Sequence, residues 1–100
     1  MAKISFTDVW NTIAANEGAV FHTVTGLPFT YRMRNDCLVP VRNGVPVRQS
    51  LTRQNFENAF GLLPFNSPGE INNIIRGPAY VYALLHDPRI MAGSAPKQGE

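Results

Sequence analysis

The feature that most limits what this chain can fold into is Asn43-Gly44, set between two copies of Val-Pro-Val-Arg. Asn-Gly favours a two-residue type I′ turn, because both central residues then take positive φ, and that turn joins adjacent antiparallel strands. Pro40 and Pro46 lack the N–H that a ladder position uses. The two arms are therefore expected at a sheet edge or in an irregular projection, where the prolines also discourage pairing with another molecule. The wider stretch 29–53 carries Arg32, Arg34, Arg42, Arg48 and Arg53 against a single acid, Asp36, in a chain whose formal net charge is only +2.

On either side of this stretch the apolar period is helical. Phe6, Val9, Trp10, Ile13 and Ala14 follow the i, i+3, i+4, i+7, i+8 spacing of one buried helix face, so residues 4–18 are expected as a helix. Ser5 caps it, Asp8 stands in the first turn, Ile4 and Val9 occupy the positions of a hydrophobic staple, and Gly18 supplies the stop. From Ala19 the period becomes two. Residues 20–25 and 29–34 are expected as the arms of a hairpin, with Phe29, Tyr31 and Met33 inward and Thr30, Arg32 and Arg34 outward. Asn35-Asp36 turns the chain into a third strand, 37–41, with Cys37, Val39 and Val41 on one face and Leu38 and Pro40 on the other.

Thr52 caps a second helix whose buried face is Phe56, Ala59, Phe60 and Leu63, closed by Pro64. Ser67-Pro68-Gly69-Glu70 matches a capping box with proline at N1, and opens a short helix with Ile71, Ile74 and Ile75 inward. Pro78 begins a last helix over 79–86, apolar nearly all round, which Asp87-Pro88 closes. The expected architecture is α+β: an N-terminal helix, a three- to four-stranded antiparallel meander with the Asn-Gly hairpin, then two or three C-terminal helices packed on one face. Its core centres on Trp10, Phe29, Tyr31, Phe56, Phe60, Ile74 and Leu84. One domain is expected over 1–91, with 92–100 as a flexible tail.

One hundred residues suit one domain, and 44% hydrophobic with 16% charged residues is ordinary for a folded chain. No apolar run is long enough for a bilayer, and the N-terminus shows no secretory h-region. The one cysteine, Cys37, excludes an intramolecular disulfide and points to a reducing, cytoplasmic setting. Cys37 lies in an alternating strand, so it reads as a small buried hydrophobe rather than a nucleophile. His22 and His86 stand sixty-four residues apart, with no metal-ligand spacing. The carboxylates are scattered, and no glycine-rich phosphate loop occurs. The sequence thus points to no catalysis, no metal and no cofactor.

It points instead to a binding module. Seven of the nine basic residues are arginine, which offers planar bidentate contacts to phosphate and carboxylate. Arg32, Arg34, Arg42 and Arg48 form the expected contact surface for DNA or RNA phosphates, with Arg76 and Asn72 as further contacts from the helical half. The alternative is a protein partner or a homodimer, met through Trp10, Tyr31, Phe65, Tyr80 and Tyr82 and through the apolar last helix.

Two segments, G-L-P-F-T-Y at 26–31 and S-P-G-E-I-N-N-I-I-R-G-P-A-Y-V-Y-A-L-L-H-D-P-R-I at 67–90, resemble a group of small uncharacterised bacterial domains found as mobile gene cassettes or beside defence genes. The two cover about a third of the chain, and R-G-P-x-Y is the more specific part. That group has no settled activity, so no residue role transfers. The resemblance implies a bacterial, cytoplasmic, non-enzymatic domain.

Overall fold

Ser5 starts the first helix by accepting the Asp8 N–H on its hydroxyl at 3.1 Å, and α1 (Phe6–Ala15) follows. The computed structural model describes residues 5–94, and side chains as far as Met91. The staple through Ile4 and residues 95–100 of the expected 92–100 tail lie outside the described residues, while residues 92–94 continue the last helix. Phe6, Val9, Trp10 and Ile13 are buried as the spacing predicts, whereas Ala14 is exposed because the helix is already ending. Gly18 takes φ of +90° past the cap, as a helix stop requires.

Five short antiparallel strands follow: β1 (Phe21–His22), β2 (Pro28–Arg34), β3 (Cys37–Arg42), β4 (Val45–Pro46) and β5 (Leu51–Thr52). Their order is β1-β2-β3-β4, with β5 also on β3. The fold is therefore α+β, and its strands outnumber the expected three to four because the last edge is broken in two. The expected long first arm is only two paired residues. Phe21 and Thr23 face inward while Val20 and Val24 are exposed, and Thr23 holds the turn through its N–H to the Leu27 carbonyl, 2.9 Å, and its hydroxyl from the Leu27 N–H, 3.1 Å.

Pro40 was expected at an edge, yet β3 is the central strand. The reason lies in the register. β3 pairs with β4 at Val41↔Pro46 and with β5 at Leu38↔Leu51, so Pro40 falls where the ladder changes partner. Its carbonyl accepts the Val47 N–H at 2.8 Å, and with no N–H to give back, β4 ends there. Pro46 does sit on the outer strand. Asn43 and Gly44 take φ of 53° and 77°, the positive pair that a type I′ turn needs. On β3 the buried residues are Leu38 and Pro40, and Cys37 is half-buried on the other face rather than in the core.

Thr52 caps α2 (Arg53–Gly61) by accepting the Asn55 N–H at 3.0 Å; Phe56 and Ala59 are buried, and Phe60 and Leu63 pack against the core from its margin. The expected capping box fails. Ser67 makes no side-chain cap, and Pro68–Ile71 is one 3-10 turn after which the chain bends. Without a continuing helix the isoleucines do not share a face: Ile71 and Ile75 are buried and Ile74 is 65% exposed. Ile74 therefore leaves the expected core.

Gly77 (φ 58°, ψ 49°) turns the chain into α3 (Pro78–Leu85), with Pro78 in its first turn. Asp87-Pro88, expected to end the helical part, starts α4 (Pro88–Ser94): the Asp87 carboxylate accepts the Arg89 N–H at 2.8 Å and its carbonyl accepts those of Ile90 and Met91. An aspartate cap followed by proline is a start signal, and here it opens a helix where the end of the helical part is expected. α4 packs along α1, and Ile90 is fully buried.

One core joins all these elements. Trp10 stands 5.5 Å from Phe56 between α1 and α2, and Phe21 stands 5.6 Å from Tyr31 under the sheet. Tyr31 is fully buried and donates its hydroxyl to the Ile13 carbonyl at 2.7 Å, tying β2 to the last turn of α1. Burial also pushes its phenol pKa far up.

The sheet's edges are closed by side chains and turns. The Gly18 N–H donates to the Tyr31 carbonyl at 3.2 Å and the Met33 N–H to a Glu17 carboxylate oxygen at 2.9 Å, which covers β2 where β1 stops. Arg89 donates to the Val20 carbonyl at 3.0 Å, lies 3.9 Å over the Phe21 ring and pairs with Asp87 at 3.0 Å. The Arg89 guanidinium beside Asp87 holds that carboxyl below the usual carboxylate range. The depressed value means that the folded state binds fewer protons, so this contribution is present above about pH 4 and lost as the pH falls further. Asp87→Asn is expected to flatten the acid limb of a urea stability profile measured between pH 7 and pH 3, by at most about 1 kcal/mol because the guanidinium is half exposed. An unchanged acid limb would show that the pair does not contribute.

Candidate nucleic-acid interface

Directly opposed residues of an antiparallel pair point to the same face of the sheet. The register Thr30↔Val41, Arg32↔Val39, Arg34↔Cys37 and Val41↔Pro46 therefore puts Arg32 and Arg34 on the outer face, beside Val39 and Val41 and away from the core. Two residues apart on one strand, the arginine Cα atoms are separated by about 7 Å. They border a solvent-open concavity of about 790 Å³ whose floor includes Val39 and Val41 and whose rim includes Glu17, Gly44 and Pro46.

Among the described residues the only ion pair is Arg89–Asp87. Arg32, Arg34, Arg42, Arg48 and Arg76 are exposed, and their side chains make no hydrogen bond or ion pair there. Glu17, the acid on the concavity rim, has one carboxylate oxygen committed to the Met33 N–H. Arg53 behaves differently: it lies 5.8 Å over the Phe6 ring and reaches the Thr7 hydroxyl at 3.5 Å, so it packs on α1.

The six residues singled out from the sequence fall into four places. Arg32 and Arg34 stand together. Arg42 pairs with Val45 at the Asn43-Gly44 tip, one step out of phase with Val41, so it belongs to the opposite face of the ribbon. Arg34 is opposite Cys37, five residues from Arg42 along β3, so the two stand about 17 Å apart at opposite ends of the strand. Arg48 is exposed in the break between β4 and β5. Asn72 and Arg76 lie in the segment between the 3-10 turn and α3, where both border a concavity shared with Gln49 and Ile74. One arginine surface containing all four ribbon residues is thus not formed; Arg32 and Arg34 are its compact part.

Three further features escaped the sequence reading. Val39 and Val41 share a strand face by their spacing, but nothing in the sequence marks them as lining the concavity that Arg32 and Arg34 border. Asn55 clamps the backbone of Arg76, accepting its N–H and donating to its carbonyl, both at 2.9 Å. Nothing local in the sequence signals that contact across 21 residues. His86 places its ring nitrogens 3.0 Å from the Tyr82 carbonyl and 3.1 Å from the Phe65 carbonyl, so it fastens the loop after α2 to the end of α3. The aromatics named for a protein-binding alternative are largely consumed by the core: Trp10, Tyr31 and Phe65 are buried, and Tyr80 and Tyr82 half-buried.

Among the described residues no three His, Cys, Asp or Glu side chains converge as metal ligands, and no helix is long and apolar enough to cross a membrane. Comparison of the chain with protein-family models, curated proteins and solved structures gives no match.

Proposed function

We propose that this chain is a small non-enzymatic binding module that contacts nucleic-acid phosphates through the outer face of the β2–β3 ribbon. The observation that carries this reading is the pair Arg32 and Arg34: adjacent, exposed, unpaired among the described residues, and set beside a concave floor rather than on a convex edge. A guanidinium without a carboxylate partner keeps its bidentate donors for an anion. Arg42 and Arg48 add charge from the ribbon tip and the β4–β5 break, and strengthen attraction at a distance more than they shape the site. The half-buried, unpaired Cys37 fits a reducing compartment such as a bacterial cytoplasm.

The test is the salt dependence of binding to mixed-sequence DNA and RNA oligonucleotides, followed by fluorescence anisotropy. Two to four neutralised phosphates give a slope of log affinity against log salt of about −1.4 to −3.6. Arg32→Glu with Arg34→Glu is expected to lower affinity at least tenfold at low salt and to flatten the slope. Unchanged affinity in that double variant would reject the reading.

A further inference from the structure

A second concavity lies beside this face. Thr52 is opposite Cys37, which is opposite Arg34, so Thr52 continues the outer face two strand spacings, about 10 Å, from the arginine pair. Thr52 also lines a cleft between α2 and residues 74–76, about 430 Å³, bordered by Gln54, Asn55, Asn58, Ile74 and Arg76. Among the described residues Arg76 is the only charged one in that lining.

Two features of the cleft decide what it can bind. On α2, the Gln54 amide N–H donates to the Asn58 amide oxygen at 2.9 Å. That bond leaves the Gln54 oxygen as an acceptor and the Asn58 nitrogen as a donor, on neighbouring turns of one helix face. Opposite them stands Ile74, 65% exposed although Ile71 and Ile75 on either side are buried. A single exposed isoleucine is commonplace. Here, however, Asn55 fixes the backbone of Arg76 two residues on, so the segment that presents Ile74 is held in place.

Between the two concavities lies a depression whose lining includes Asp36, Arg53 and Glu57. It sets two carboxylates against one guanidinium, whereas the first concavity sets Arg32 and Arg34 against Glu17 alone, so the charge balance favours a nucleic-acid backbone on the Arg32–Arg34 side. The cleft beyond has no carboxylate in its lining among the described residues and admits a neutral group. Amide donors and acceptors are the side-chain groups that match the edges of bases, and a base becomes available to a cleft when it is splayed from its neighbours in a single strand.

We infer that the Gln54–Asn58–Ile74 cleft is a pocket for one unstacked nucleobase of a single strand whose phosphates lie on Arg32 and Arg34, the amide pair meeting the edge of the base and Ile74 its face. This inference rests on the phosphate-binding reading above. It divides the work: the sheet supplies charge, and the cleft distinguishes a base from bare sugar-phosphate.

Two fluorescent single strands of about twelve nucleotides test it, one oligodeoxyadenylate and one abasic throughout. The wild-type protein is expected to bind the adenylate strand about tenfold more tightly, the scale of one stacked, hydrogen-bonded base. Gln54→Ala with Asn58→Ala, and separately Ile74→Ala, should bring adenylate affinity down to the abasic level while abasic affinity and its salt slope stay unchanged. All three positions are exposed, and circular dichroism verifies that each variant is folded. Equal binding of the two strands by the wild type, or equal weakening of both by the variants, overturns the inference and leaves the phosphate reading standing. If neither strand binds, both fall. If sedimentation shows a concentration-dependent mass that Ile74→Asp abolishes, the cleft is a contact between copies of the chain, and the inference is overturned in that direction.

Discussion

Gly77→Ala is expected to destabilise the fold by about 2–4 kcal/mol, which for a domain of this size lowers Tm by at least roughly 8 °C. Two causes add. Gly77 sits at φ 58° and ψ 49°, a left-handed conformation that costs an alanine about 1–2 kcal/mol. A Cβ there would also stand 2.8 Å and 3.0 Å from the two methyl carbons of Leu51, which is fully buried and cannot swing clear into solvent. Gly18→Ala separates the causes. Gly18 has φ of +90° but nothing within 4 Å of its Cβ position, so that variant carries only the conformational cost. A double-mutant cycle with Leu51→Ala should show a coupling of at least about 0.5 kcal/mol, because removing the leucine methyls relieves the clash. If Gly77→Ala and Gly18→Ala cost the same, the contact with Leu51 is not limiting.

Trp10→Ala is expected to cost more, about 3–5 kcal/mol, a large share of the total stability of a small domain. Trp10 is 7% exposed, stands 6.1 Å from Phe6 and 5.5 Å from Phe56, and joins α1 to α2 beside the Phe6–Phe60 contact. Because it is the only tryptophan, urea unfolding of the variant has to be followed by circular dichroism rather than fluorescence. Trp10→Phe keeps a ring in the contact and should cost less than half as much. A loss under about 1 kcal/mol for the alanine variant would mean that the helices repack without the indole.

Such effects show which parts of the molecule are legible in its sequence. Local patterns were read correctly where local physics decides the outcome. The cap at Ser5, the cap at Thr52, the alternation through Phe29, Tyr31 and Met33, and the Asn43-Gly44 turn each depend on a few neighbouring residues. At Ser67 and at Asp87-Pro88 the signals are local and the outcome still differs from expectation, whereas at Ile74 and Pro40 tertiary contacts decide. Ile74 has helical spacing from Ile71, but a single 3-10 turn followed by a bend destroys the face that the spacing implied. Pro40 is tolerated in the central strand because two different strands share its outer side, which no proline rule can anticipate from the sequence.

The candidate site follows the same division. That Arg32 and Arg34 share an outward face was legible from a period of two. That Arg42 does not join them follows from its odd step along β3 and from the length of the strand, both fixed by register rather than by charge pattern. The amide pair on α2 and the clamp from Asn55 to Arg76 were invisible, since asparagine and glutamine on a helix surface carry no period that marks them out.

The hold of Arg89 on the Val20 carbonyl has a consequence for the order in which the molecule is completed. The two residues are 69 positions apart, and the arginine belongs to the last helix described. A nascent chain that has already made β1, β2 and β3 therefore presents an unguarded strand edge and an uncovered Phe21 ring until α4 leaves the ribosome. During that interval the sheet is open to strands from neighbouring chains, and the closing contact arrives only with Arg89.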